Sequence, residues 1–320
     1  MDAPSIALIG TGAALPAQVR LNDDPVFEPL RKAAGAGEQA LFYGNRERRV
    51  LAPGESLSAL TAEAGRAALR DAGLGTQDVQ RLYGYVSVSD FVTPNAMYEV
   101  HRDLGLGQDV MVVPVQADFG NFLMGVVLAW EGIRAGALQR ALVVAGAGWT
   151  RNVDYSQGHA IGIGDAAGAA VVGPGERLVL VDYAADTFSN EYGAMTMRRR
   201  AENGLEQPTY GIDPVAGIQA FLKSGMDGPP RLVARLLARH GLRGEDVTLI
   251  AHQATRKLMD HWAQEIRPRE YLDTYEDYGN MVIASIPVTL ARFQRELRTR
   301  WLVMVGLGIG AHQLALLVRV

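Results

Sequence analysis

"AGLGTQDVQRLYGYV", residues 72–86, and "HGLRGEDVTLIAHQA", residues 240–254, are two versions of one phrase. In a single unbroken register Gly73, Asp78 and Val79 of the first fall on Gly241, Asp246 and Val247 of the second. Each reads as a glycine-closed helix end, a short acidic turn and then an apolar strand. Further on, "ALVVAGAG" (141–148) and "LVMVGLGIG" (302–310) are each followed by a last strand, "AGAAVVG" (167–173) and "HQLALLVRV" (312–320). The order of the elements agrees as well as the local wording, so the chain reads as an ancient duplication with halves 1–173 and 174–320.

Outward from that phrase, strands and helices alternate. "SIALIGTG" (5–12), "RLYGYVSV" (81–88), "VMVVPVQ" (110–116) and "RALVVAGAG" (140–148) read as strands, the third of them buried. "SLSALTAEAGRAALRDAGL" (56–74) spaces its apolar residues as an amphipathic helix does, and 119–135 reads as a buried helix. Strands this continuously apolar belong to a sheet covered on both faces, which makes the fold class α/β and layered. Two such sheets sharing a middle layer of helices give a five-layer α-β-α-β-α sandwich. The apolar helices that follow Phe119 and Asn280 are its expected centre.

With 48% hydrophobic and 21% charged residues the chain has ample material for a core, and its net charge of −4 gives no general pull toward nucleic acid or anionic lipid. It has no cysteine, which excludes disulfides, thiolate metal sites and every cysteine-based mechanism. "MDAPSIALIGTG" is not a signal peptide, and the apolar run Phe122–Trp130 is far short of the roughly 20 residues a spanning helix needs. A cytoplasmic protein without a membrane segment is expected. "GTGAAL" lacks the third glycine of a dinucleotide fingerprint and meets Pro16 where a helix should continue, so nicotinamide binding is rejected.

Polar features gather at strand ends. "VQADFGNFLMG" (115–125) takes a strand into a helix, a common seat for a nucleophile because helix-start N–H groups stabilise negative charge. His252 follows a buried strand, Asn280 sits on a Gly-Asn turn ahead of a buried helix, and "VGLGIGAHQ" (305–313) offers Gly308 and Gly310 as backbone donors. Taken singly, a capping histidine, a plain turn and a tight glycine loop would each suffice. In a duplicated sandwich, strand ends at 117, 252, 280 and 308 converge on one pocket, with His312 close by. Histidines 101, 159, 240, 261 and 312 show no metal-ligand spacing, and no metal is expected.

The motifs "IGTGAALPAQVRLND", "NRERRVLAPGESLSALTAEAGRAAL", "GALQRALVVAGAG", "GDAAGAAVV", "AHQATRKL" and "GNMVIASIP" occur in that order. Over residues 5–320 they resemble the β-ketoacyl-acyl carrier protein synthase III branch of the thiolase superfamily. In that family a cysteine takes an acyl group from a thioester, and a histidine and an asparagine support decarboxylation of a malonyl partner and hold its enolate oxygen. The resemblance places those two roles on His252 and Asn280. The family's "AACAGF" becomes "ADFGNF" here, and the cysteine falls on Phe119. Its tryptophan and arginine that grip the coenzyme A adenine fall on Glu38 and Phe42, so the nucleotide grip is also altered.

Three functions fit a site with His252 and Asn280 but no cysteine. One is direct acyl transfer from a thioester of coenzyme A or of a carrier protein's phosphopantetheine, with His252 as base and no further cofactor. The second keeps only the decarboxylation of a malonyl thioester. In the third, Phe119 plugs the acyl tunnel and the chain is a non-catalytic partner of a cysteine-bearing homologue. Retention of both polar residues favours the enzymatic readings. Asp118 either caps the helix that starts at Phe119 or lends a carboxylate to the pocket. A homodimer or a heterodimer with a related synthase is expected. The basic runs 46–49 and 198–200 read as solvated or internally paired charges, and one of them, with Arg256 and Lys257, is the candidate surface for an acidic acyl carrier protein.

Overall fold

The computed structural model describes residues 4–35, 42–117, 119–197, 208–308 and 312–320. Ten strands build the main sheet. They are β1 (Ile6–Ala14), β2 (Arg81–Ser87), β3 (Met111–Pro114), β4 (Ala141–Ala147) and β5 (Ala166–Pro174), then β6 (Val179–Thr187), β7 (Val247–Ala251), β8 (Glu270–Tyr271), β9 (Trp301–Gly308) and β10 (His312–Arg319). Across the sheet the order is β8-β7-β9-β10-β6-β1-β5-β4-β2-β3. Each set of five therefore has the same permuted order. The two meet at a single antiparallel pair, Ala7 with Val179.

Six helices complete the pattern: α1 (Leu57–Asp71), α2 (Met97–Leu104), α3 (Asn121–Arg134), α4 (Gly228–Ala238), α5 (Arg256–Ile266) and α6 (Ser285–Phe293). Along the chain the first set runs β1-α1-β2-α2-β3-α3-β4-β5, and the second repeats it as β6-α4-β7-α5-β8-α6-β9-β10. Detail repeats too. The β1–β5 ladder slips at Leu8/Gly10 and the β6–β10 ladder at Leu317/Val318, so both first strands carry a bulge. We infer from this agreement that the two halves are copies of one unit.

The layers are those of a five-layer sandwich. Helix α1 covers β1, β5 and β4 on one outside, while α4 covers β6, β9 and β10 on the other. Between them α3 and α6 touch strands of both halves, and their apolar residues Phe122, Leu123, Val126, Ile286 and Leu290 are buried in the largest core cluster. Helix α1 starts where Ser56 accepts a hydrogen bond from the Ala59 N–H at 3.1 Å. It lies directly on β1 because Gly12 has no side chain, and a Cβ there would stand 2.3 Å from the Ala64 carbonyl oxygen. The glycines of "GTG" thus serve close helix–strand packing.

Two expectations need correcting. Strand β3 is the sheet's edge, not a buried strand: among the described residues it pairs only with β2, and Met111 is 56% exposed. Its apolar residues face an open flank, so apolarity alone could not report burial. Helix α3 begins at Asn121, two residues later than the sequence pattern suggests. Among the described residues no helix is long and apolar enough to cross a membrane.

Candidate active site

His252 stands at the tip of β7, its N–H still extending the ladder to the Val305 carbonyl at 2.9 Å. The residue is 2% exposed, its Nδ1 has no hydrogen-bond partner among the described residues, and burial pushes the imidazole down to about 4, with the Val282 main chain pulling the other way. The ring is therefore neutral at pH 7.

Asn280 reaches the same place from another loop. Gly279 turns the chain at φ +66°, and a Cβ there would lie 2.1 Å from the Gly162 carbonyl oxygen, so only glycine fits. The Asn280 N–H then donates to the Gly162 oxygen at 2.6 Å, and its carbonyl accepts from Gly164 at 3.0 Å. This clamps the loop to the strand-like segment around Ile163. The carboxamide Oδ1 accepts the Val282 N–H at 2.9 Å, leaving Nδ2 as the uncommitted donor among the described residues. Both site residues thus converge on the peptide of Val282. That residue holds φ +49°, a left-handed backbone that a β-branched residue rarely adopts and that the surroundings must enforce.

Phe119 closes the arrangement. Its ring lies nearly parallel to the His252 imidazole, with centroids 5.5 Å apart and planes 12° apart. Trp149 meets it edge-on at 5.6 Å, and Tyr210 stands 6.5 Å away. Trp149 and Tyr210 touch each other at 5.2 Å, and His159 meets Tyr210 at 5.4 Å. The Trp149 indole donates to Ser87 Oγ at 2.8 Å, so the tip of β4 is tied to the tip of β2.

Trp149, Tyr210 and His159 were not in the sequence-derived site. Trp149 follows "VAGAG" at a strand tip, and the strand-end argument applied there would have found it. Tyr210 arrives on a separate small hairpin, Met195–Met197 with Tyr210–Ile212, which no local pattern connects to Phe119. His159 loses proton affinity through burial and packs edge-on against Tyr210.

Other expected residues fall as follows. Gly308 ends β9 opposite His312, and His312 Cδ2 lies 3.4 Å from where a Gly120 Cβ would be, so that hairpin abuts the start of α3. Asp118 and Gly310 lie outside the described residues, as do Glu38 and residues 198–200. Arg256 is not a free surface cation: it forms a two-pronged pair with Asp273 at 2.8 and 3.1 Å and stacks on Tyr275. Lys257 is exposed. In the basic run, Arg46 pairs with Glu276 and Asp277, and Arg48 is fully buried against Phe27. Phe42 packs edge-on against Phe27 at 5.5 Å, a contact that builds a small core. Among the described residues no cluster of metal-ligating side chains forms.

Two family models match the chain: "3-Oxoacyl-[acyl-carrier-protein (ACP)] synthase III" over residues 115–187 and its C-terminal counterpart over 237–320. The β-ketoacyl-[acyl-carrier-protein] synthase III of Gloeobacter violaceus is 28% identical, covering 99% of this chain and 98% of its own length. That of Desulfitobacterium hafniense is 29% identical, covering 96% and 95%. Among solved structures, the 3-oxoacyl-(acyl carrier protein) synthase III of Pseudomonas aeruginosa superposes with TM-score 0.85 at 24% identity, covering 98% of both chains. OleA of Xanthomonas campestris has the same fold, with TM-score 0.85 at 17% identity over 99% of both chains. In motifs and architecture this cysteine-free chain is thus similar to the 3-oxoacyl-[acyl-carrier-protein] synthases III, with His252 at a strand end as expected and Asn280 on a loop between two short helices rather than at a strand end.

Proposed function

We propose that the protein is an acyltransferase of the ketoacyl synthase III type that uses an acyl thioester, of coenzyme A or of a carrier protein, without a covalent cysteine intermediate. The observation that carries this reading is the convergence of His252 and Asn280 on the Val282 peptide beside Phe119. A neutral imidazole and a carboxamide N–H are two hydrogen-bond donors for the thioester oxygen as it gains negative charge. One such donor is typically worth about 10²–10³ in rate.

A conjugate acid near 4 makes His252 a weak base, so its role shifts from proton acceptor to oxygen donor. An amine acceptor would attack as its free base. The new C–N bond forms as the C–S bond breaks, and the acceptor's proton leaves with the thiolate as thiol.

The same two donors favour a second reading, decarboxylation of a malonyl-type thioester. There the C–C bond to the carboxylate breaks, carbon dioxide departs, and the enolate oxygen rests on His252 and Asn280 until water protonates carbon. This reaction needs no nucleophile where Phe119 stands.

The protein would act as a homodimer or paired with a related synthase through the edge strand β3, whose flanks expose Met111, Phe91, Val92 and Tyr98. A carrier protein would approach by Lys257.

The test is to incubate the purified chain with acetyl- and malonyl-pantetheine thioesters, with and without an amine acceptor. Thiol release that depends on the acceptor supports transfer, and labelled carbon dioxide from malonyl supports decarboxylation. Turnover that appears only when a cysteine-bearing homologue is added, and survives His252→Ala, overturns both in favour of an accessory subunit.

A further inference from the structure

The aromatic residues around Phe119 have a consequence for which thioesters the site accepts. Ring centroids in this group are 5.5 Å apart for Phe119 and His252, 5.6 Å for Phe119 and Trp149, and 5.2 Å for Trp149 and Tyr210. Carbon atoms in contact stand about 3.5–4.0 Å apart, so a polymethylene chain lying between two ring faces needs about 7–8 Å. The stacked Phe119–His252 pair falls well short of that. The edge-to-face partners are likewise in direct contact, the arrangement aromatic rings prefer at centroid distances of about 4.5–7 Å.

The wall is also held from several parts of the chain. Phe119 comes from the entry to α3, Trp149 from the tip of β4, where its indole is tied to Ser87, and His252 from β7. Tyr210 comes from the small hairpin, where its N–H is bonded to the Asn152 carbonyl at 2.9 Å and its hydroxyl to Met195 Sδ at 2.9 Å. Phe119 cannot swing toward Trp149 or Tyr210 without displacing a residue that is anchored elsewhere.

We propose that Phe119, Trp149 and Tyr210 form a specificity-determining wall that closes the site to extended acyl chains and limits it to thioesters with a compact acyl group. This rests on the thioester reading above and adds the substrate class to it. Among the described residues the rings in contact leave no slot between their faces for further acyl methylenes. Removing the benzyl group opens a slot lined by Trp149, Tyr210 and the imidazole face. Burial of a methylene contributes about 0.8 kcal/mol, close to a four-fold gain in affinity for each one that enters.

The experiment measures equilibrium binding, by calorimetry, of ketone isosteres of acyl-pantetheine with two, four, six and eight acyl carbons. These cannot turn over, so binding is read independently of chemistry. The wild type is expected to bind the two-carbon isostere and to gain nothing, or lose affinity, as the chain lengthens. Phe119→Ala is expected to gain about four-fold per methylene until the slot is filled. Tyr210→Ala, which only unlocks the ring, should gain less. Phe119→Leu serves as a gentler variant should the alanine variant fold poorly, and it should fall between.

A wild type that already tightens four-fold per methylene, with Phe119→Ala unchanged from it, overturns the wall while leaving the thioester site intact. Failure of every isostere to bind wild type and variants alike overturns the thioester reading, and the wall with it.

Discussion

At the tip of β7 stands His252, and beyond the tip of the longer β2 stands Val88; α6 is entered through Gly279-Asn280, whereas α3 is entered through Phe119-Gly120. The second half thus brings an imidazole and a carboxamide and the first half brings hydrocarbon, on ladders of the same order and sense. Inside the sheets each strand is fixed on both sides by neighbours and above and below by helices, so few substitutions are tolerated there. Tips are bounded on one side only. Two copies of one framework can therefore keep their interiors alike while their ends take up separate work. Among the described residues no side chain of the first half supplies a hydrogen bond to the Asn280 carboxamide, so its orientation does not depend on what stands at position 119.

The most direct way to break this division is at the donor end. His252→Ala is expected to lower turnover by about 10²–10³, the usual cost of a lost oxyanion donor, with secondary structure and oligomeric state unchanged. Steady-state rates on the responsive thioester, alongside circular dichroism and gel filtration, measure it. Full activity in the variant would move the chemistry out of the second half.

Returning a nucleophile to the other end should do much less. Phe119→Cys restores a thiol at the start of α3, where helix N–H groups favour a thiolate. Yet Phe42 is committed to packing on Phe27, and the nucleotide grip is not restored with the sulfur. Self-acylation from acetyl coenzyme A, followed by intact-protein mass, is expected to be slow and substoichiometric. Brisk, complete acylation would mean that the first half lost one atom and nothing else.

A smaller effect separates the halves by pH. His252 holds its imidazole at about 4 against an ordinary 6.5, so as pH falls the unfolded chain takes up the proton first. The contribution is present in full above 6.5 and is lost progressively as pH falls toward 4. Stability should therefore rise with pH across that window, by roughly 3 kcal/mol in all from this residue. Urea denaturation of wild type and His252→Gln at several pH values tests it, with the slope expected to flatten in the variant. An unchanged slope would place the proton linkage on other groups.

How much of this was legible beforehand follows from what each feature depends on. The sandwich and the repeat were legible because buried strands must be apolar throughout, and because Gly73 and Asp78 mark turns by chemistry local to a few residues. The meeting of His252 and Asn280, seen at Val282, was legible for a similar reason, since both are polar residues bordering apolar runs. The exposure of Met111 was not, since an edge strand and a buried one share composition when the edge presents an apolar flank. Nor was the neutralisation of Arg256, whose partner Asp273 comes from another loop, nor the approach of Tyr210 to Phe119, which depends on a hairpin folding back over the sheet. Pattern reading sees along the chain, and these contacts run across it.

The finest test of the comparison uses positions far from the chemistry. Gly73 and Gly241 occupy the paired turns that precede β2 and β7, at φ +67° and +65°, and a Cβ added at either meets no atom within 4 Å. In both turns an aspartate caps the backbone: the Gly75 N–H donates to Asp78 at 2.9 Å, and the Arg243 N–H to Asp246 at 2.8 Å. Alanine at either position meets no clash and suffers only the cost of a left-handed backbone, about 1 kcal/mol. Gly73→Ala and Gly241→Ala should therefore destabilise equally, with the double variant close to the sum because the sites share no partner. Chemical denaturation of the three variants decides it. Costs differing by more than about 0.5 kcal/mol would show that the two turns, though alike in sequence and backbone angle, are not energetically the same piece.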